Sequence, residues 1–201
     1  TGNVSRSTYI WNTANATLSA FQSVIILAVM TRTNGIEDAG VFSIAYAVAS
    51  LMLFVGQYGI RRFQASDIRG QFVFGEYHGM RILTCLIMIM ASAGYSFYGL
   101  VFQSYSTEKT IVIFLICLLK VVQAYADVFH GLMQQNGRLD VAAKSSFVRI
   151  ALGTLSYVLC LALTQHLLLS TAVCLFVSTL VFVITSVNAA RDFSGFSPFF
   201  H

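Results

Sequence analysis

Uncharged stretches of about membrane length follow one another along this chain, joined by short polar links. There are 25 uncharged residues between Arg6 and Arg32, 22 between Asp38 and Arg61, and 26 between Arg81 and Glu108. A helix needs roughly 20 apolar residues to cross a hydrocarbon core about 30 Å thick, so each window predicts one span. The 41 uncharged residues between Arg149 and Arg191 hold two spans, divided at the polar run Thr164-Gln165-His166. The remaining span runs from near Thr110 to near Gly137 and alone is interrupted by charge, at Lys120 and Asp127. The predicted helices are therefore 8–31, 40–62, 81–103, 110–136, 145–164 and 167–190. Runs of this length are helical because the bilayer core offers no partner to free backbone groups.

Composition agrees. The chain has 201 residues, of which 57% are hydrophobic and 10% charged, against about 25% charged in soluble domains. The net charge of +4 is a topology signal, and nucleic acid is excluded as a partner. With the N-terminus on side one, that side carries Arg6, Arg61, Arg62, Arg69, Arg81, Arg138, Lys144, Arg149 and Arg191. Side two carries only Arg32 and Lys109. Lysine and arginine concentrate on the cytoplasmic side, which predicts an all-α, polytopic six-helix bundle, N-in and C-in. Residues 64–80 form a short helix or loop at the inner interface. The chain begins at Thr1 and closes on Ser197-Pro198-Phe199-Phe200-His201; we read it as a piece of a longer protein, with no signal peptide.

Polar residues recur along one face of several spans. The fourth carries Lys120, Gln123, Asp127, His130 and Gln134 at helical spacing. A buried charge costs about 2.5–3.5 kcal/mol on insertion, while each large apolar residue returns about 0.3–0.6. This span alone is marginal, so its polar face must meet other helices or water. Lys120 and Asp127 lie seven residues apart, about 10.5 Å along the axis. That separation favours a hydrated cavity over a direct pair. The first span presents Thr8, Asn12, Asn15, Ser19 and Gln22; the second Ser43, Tyr46, Ser50, Gln57 and Arg61; the fifth Ser146, Arg149, Gly153, Ser156 and Cys160. Interhelical packing by small and polar residues explains the same stripes equally simply.

Enzyme chemistry finds little support. The histidines His78, His130, His166 and His201 show no metal-ligand spacing. Neither a nucleophile motif nor a phosphate loop is present, and no cofactor is expected. Cys85, Cys117, Cys160 and Cys174 fall in apolar runs and read as small fillers. The sequons at Asn3 and Asn15 are too short a pattern to carry weight.

Several segments resemble a known family. They are Tyr9-Ile10-Trp11-Asn12, the turn Arg32 to Ala45, the run Gln57-Tyr58-Gly59-Ile60-Arg61-Arg62-Phe63-Gln64-Ala65-Ser66-Asp67, and Asp127-Val128-Phe129-His130-Gly131. Together they resemble the polysaccharide flippases of the bacterial capsule and O-antigen type. These belong to the superfamily of multidrug and oligosaccharidyl-lipid exporters. The resemblance implies that residues 1–201 are the first bundle of a transporter with 12–14 helices, followed by a second bundle. It implies a multi-pass protein of the bacterial cytoplasmic membrane that flips an undecaprenyl-diphosphate-linked oligosaccharide. A coupling proton or sodium ion is a further expected partner.

On that expectation Arg61, Arg149 and Lys120 suit the diphosphate, while Asn12, Asn15, Gln22, Gln57 and Gln123 suit sugar hydroxyls. Asp127 and His130 suit a proton or coupling cation, or Asp127 balances Lys120. Arg61 reads equally as an interfacial anchor. Arg32, Glu37 and Asp38 form an outer gate or a solvated turn. Other functions stay open: a cation-coupled drug antiporter, which needs an acidic cavity, a membrane glycosyltransferase or ligase, and a non-transporting assembly subunit.

Overall fold

In a computed structural model, residues 2–67 and 69–193 are described, with side chains from Arg6 onward. The sequon side chain at Asn3 and the segment 194–201 lie outside the described residues. Helix α1 covers Gly2–Thr33, α2 Ile36–Gln57, α3 Ile60–Ser66, α4 Phe74–Phe102, α5 Thr107–Gln135, α6 Leu139–Thr164 and α7 Leu167–Phe182. A π-helical turn at Val183–Val187 joins α7 to α8, Asn188–Arg191. Counting α2 with α3 and α7 with α8, six helices are long and apolar enough to cross a membrane, and no strand occurs among the described residues. This is the architecture of a multi-pass membrane protein.

The expected spans are all present, but their ends move. Helix α4 starts at Phe74, not 81, because the Glu76 carboxylate accepts from the Val73 amide at 2.9 Å and closes the first turn. The Ser106 hydroxyl accepts from the Lys109 amide and starts α5 at Thr107. Helix α6 begins at Leu139, six residues before the expected start. Uncharged windows mark where charge is excluded, and a helix continues past that limit into the interface.

The second span departs most. Expected to be continuous over 40–62, it breaks at Tyr58 and Gly59, whose φ values are 40° and 68°. Glycine accepts the left-handed region freely, whereas a tyrosine there costs about 1–2 kcal/mol. Beyond the break, α3 lies against α5. The fully buried Gln64 amide of α3 packs onto Gly131 of α5, so closely that a Cβ there would collide with it.

Helix α5 is the hub. Half of its span is buried, and it touches α2, α3, α4, α6 and α7. Helix α1 is peripheral and leans mainly on α6. There the Trp11 and Phe147 rings meet edge to face at 5.6 Å, and the Lys144 ammonium sits over the Trp11 ring. One apolar cluster joins Met30, Phe42, Ile113, Tyr157 and Leu161 near the α1–α2 turn. A second joins Phe74, Tyr77, Phe129, Leu132 and Phe182 near the opposite end. The rim carries exposed Phe21, Phe54, Met90, Phe97, Leu163 and Phe176, a surface suited to acyl chains. Cys85, Cys117 and Cys174 are buried, and all four cysteines are free.

After α3 the chain turns around Asp67. Its carboxylate accepts from the amides of Gln71 at 3.0 Å and Phe72 at 3.1 Å, and from the Tyr77 hydroxyl at 2.8 Å. The Gln71 amide leads in holding this carboxyl below the usual carboxylate range, and the Tyr77 and Phe72 bonds add to it.

Two outcomes are expected. Gly131→Ala should lower stability by about 1–3 kcal/mol through overpacking. Thermal unfolding in detergent should show Gln64→Ala recovering part of the loss in the double variant. For Asp67, a depressed folded pKa means its contribution is complete above the unfolded value of about 3.9 and fades as pH falls through the folded one. Hydrogen exchange should find the Gln71 and Phe72 amides protected at neutral pH. Asp67→Ala should remove that protection at pH 7.

Candidate functional site

The break in α2 leaves the carbonyls of its last turn without helical partners. Arg81 of α4 fills the vacancy. Its Nη1 donates to the carbonyls of Gly56 at 2.5 Å and Gln57 at 3.0 Å. The Thr84 hydroxyl also donates to Gly56, at 2.9 Å. Arg81 is wholly buried, and its charge is met by Asp127 of α5, with Nη2 3.0 Å from Oδ2. The other carboxylate oxygen, Oδ1, takes Arg61 Nη1 of α3 at 3.2 Å. Arg61 Nε and Nη2 also donate to the Gln134 Oε1 at 3.3 and 3.2 Å. One carboxylate thus ties α3 and α4 to α5.

Asp127 pairs with two arginines, which the sequence did not show, while it also lines an open cavity below the α2 break. It does not balance Lys120. Arg81, read from sequence as an orientation signal, is part of the buried chemistry. A signal for it existed. The buried positions Thr84, Cys85, Met88, Ser92, Ser96 and Gly99 form an inward stripe on α4, and extending that stripe back by one turn reaches Arg81.

Two polar cavities flank α5. The larger, about 440 Å³, lies below the α2 break and is lined by Gln57, Arg61, Arg62, Asp127 and Gln134. The smaller, about 40 Å³, lies between α1, α2, α5, α6 and α7, where Gln22, Tyr46, Lys120, Gln123 and Arg149 meet an apolar wall that includes Ile26, Phe42, Ile116 and Ile150. The Lys120 ammonium donates to the Tyr46 hydroxyl at 3.2 Å and to the Gln123 Oε1 at 3.3 Å, and it lies 4.4 Å from the centre of the Tyr46 ring. Arg149 is 4% exposed, and its Nε has no hydrogen-bond partner among the described residues.

All eight acidic residues are described. Among the described residues no carboxylate lies within 4 Å of Lys120 or Arg149. Asp127 is taken by Arg61 and Arg81, and Asp140 pairs with Arg138 at 2.9 Å. The polar stripe of α5 is therefore divided among several partners. His130, the remaining candidate on it, is buried with Nε2 3.3 Å from the Ser186 hydroxyl. Ser186 continues to Ser145 at 2.6 Å, and Ser145 to Thr185 at 2.9 Å. Ser186 sits in the π-helical turn, which swings its hydroxyl into this chain.

The other candidates spread out. Asn12 is exposed on α1, and Asn15 is half-buried with no hydrogen-bond partner for its Oδ1 among the described residues. At the other end Arg32 and Glu37 are exposed and make no ion pair among the described residues. Asp38 accepts instead from the Asn34 amide at 2.9 Å, and that amide also donates to the Gln165 carbonyl at 2.7 Å. Asn34 so fastens the α1–α2 turn to the α6–α7 turn. No group of three or more metal-binding side chains occurs among the described residues.

Asp127→Asn should cost about 3–5 kcal/mol, because it leaves the buried Arg81 charge unpaired. The loss should appear as reduced folded protein in detergent-solubilised membranes. Adding Arg81→Met should restore part of it, and equal losses in the single and double variants would refute the pairing.

No family model, no curated protein and no solved structure matches the chain, so the chemistry of this site rests on its own residues: buried cations outnumber buried carboxylates inside the bundle.

Proposed function

We propose that this chain forms one bundle of a transporter that flips an anionic, lipid-linked oligosaccharide across a bacterial cytoplasmic membrane. The favoured substrate is an undecaprenyl-diphosphate-linked unit destined for a surface polysaccharide such as capsule or O-antigen. The carrying observation is the surplus of buried positive charge: Lys120 and Arg149 line one cavity with no carboxylate partner among the described residues. A diphosphate needs cations and a sugar needs amides and hydroxyls. Gln22, Gln123 and Tyr46 around the small cavity, and Gln57, Arg61, Arg62 and Gln134 around the large one, supply both.

Both ends of the bundle lie on the cytoplasmic side in this reading, because lysine and arginine crowd the links on that side. A second bundle of the same chain packs beside α1 and α2. The thin packing of α1, with Asn12 exposed on it, leaves a polar face for that partner. Transport proceeds by rocking of the two bundles about the site between them. A cation antiporter would need a free intramembrane carboxylate, and Asp127 has both oxygens occupied by arginines.

Export of surface polysaccharide by a host dependent on this protein tests the reading. Lys120→Ala and Arg149→Ala should each reduce export by roughly tenfold or more, the loss of one charged contact, while membrane abundance by immunoblot holds. Normal export by both variants would overturn it.

A further inference from the structure

The small cavity poses a problem of charge whenever no anionic substrate meets it. Arg149 keeps its proton in any protein environment, and it is almost fully buried with Nε unpartnered. Lys120 faces the same 40 Å³ space. A buried charge without a counter-charge costs several kcal/mol, and two like charges on one cavity raise that cost further. The groups around the space are arranged as donors. Gln123 gives its oxygen to Lys120, which leaves its amide N–H groups. The Tyr46 hydroxyl accepts from Lys120, which leaves its own proton to donate.

The size of the space sets the class of occupant. A water-sized particle needs about 10–15 Å³ of such room, so 40 Å³ admits one small ion with little company. Water alone would fill the volume and leave the charges uncompensated.

We propose that the cavity where Gln22, Tyr46, Lys120, Gln123 and Arg149 converge binds a small inorganic monovalent anion of the halide class. The anion acts as a fixed counter-charge that holds α1, α2, α5 and α6 together. The inference stands apart from the transport reading, since it concerns an ion resident within one bundle and is read by binding rather than by export.

The test uses the full-length protein in detergent at constant ionic strength. Replacing gluconate by chloride should raise the thermal midpoint by about 3–8 °C and saturate, and bromide should act alike. Arg149→Gln and Lys120→Gln should lose the shift. Should Arg149→Gln fail to fold, Lys120→Gln and the anomalous signal of bromide in crystals decide, with density expected between Lys120 and Arg149. Equal midpoints in chloride and gluconate would overturn the proposal. So would a shift that survives Lys120→Gln, or a shift given by inorganic phosphate but not by chloride.

Discussion

A buried arginine meeting a buried aspartate is the contact on which the bundle depends. Arg81 does two things at once. Its guanidinium supplies donors to the carbonyls that the break at Tyr58-Gly59 strands, and its charge is met by Asp127. The broken helix and the buried carboxylate each offset part of the other's cost. A free helix end in an apolar medium lacks hydrogen-bond partners, and a lone carboxylate there lacks a counter-charge. Arg61 completes the arrangement from the far side of the break. The break therefore redirects the second span so that α3 presents Arg61 and Gln64 to α5, and the larger cavity opens beneath it.

With Asp127 consumed by this contact and Asp140 by Arg138, the charge balance of the interior among the described residues is decided. Lys120 and Arg149 are left as cations on a small space of mixed polar and apolar lining. That imbalance favours anions over cations as ligands, at the small cavity and at the larger one. The polar face of α5 serves three separate purposes along its length. Lys120 and Gln123 turn to the small cavity, Asp127 and Gln134 to the arginines, and His130 to the serine pair at the π-helical turn. A heptad stripe on a straight helix drifts by about 20° per repeat, but the division comes mostly from which neighbour stands opposite each turn.

Much of the fold was legible in the pattern of charge. Four uncharged windows gave five spans, the stretch from Thr110 to Gly137 gave the sixth despite its two charges, and the run Thr164-Gln165-His166 marked the turn between the last two. The inward face of α5 was also legible, because ionised groups spaced at helical intervals cannot face lipid. What failed was the reading of ends and partners. Arg81 followed a polar link and preceded an apolar run, so it read as a flanking charge, yet it sits a full two turns inside α4. Tyr58-Gly59 carried a glycine, but nothing local said that the tyrosine would accept a left-handed backbone beside it.

The sequence by itself determined that the chain crosses an apolar layer six times, that its spans are helical, and which face of the fourth long helix must be hidden. Those properties follow from local sums over neighbouring residues: apolar length, helical period and the cost of exposed charge. Only the tertiary structure decided which cation meets Asp127, which two are left without a carboxylate, and where the second span bends. Residues 61, 81 and 127 come from three different helices. The energy of an ion pair depends on the few ångströms between its ends, a distance that spacing along the chain does not contain.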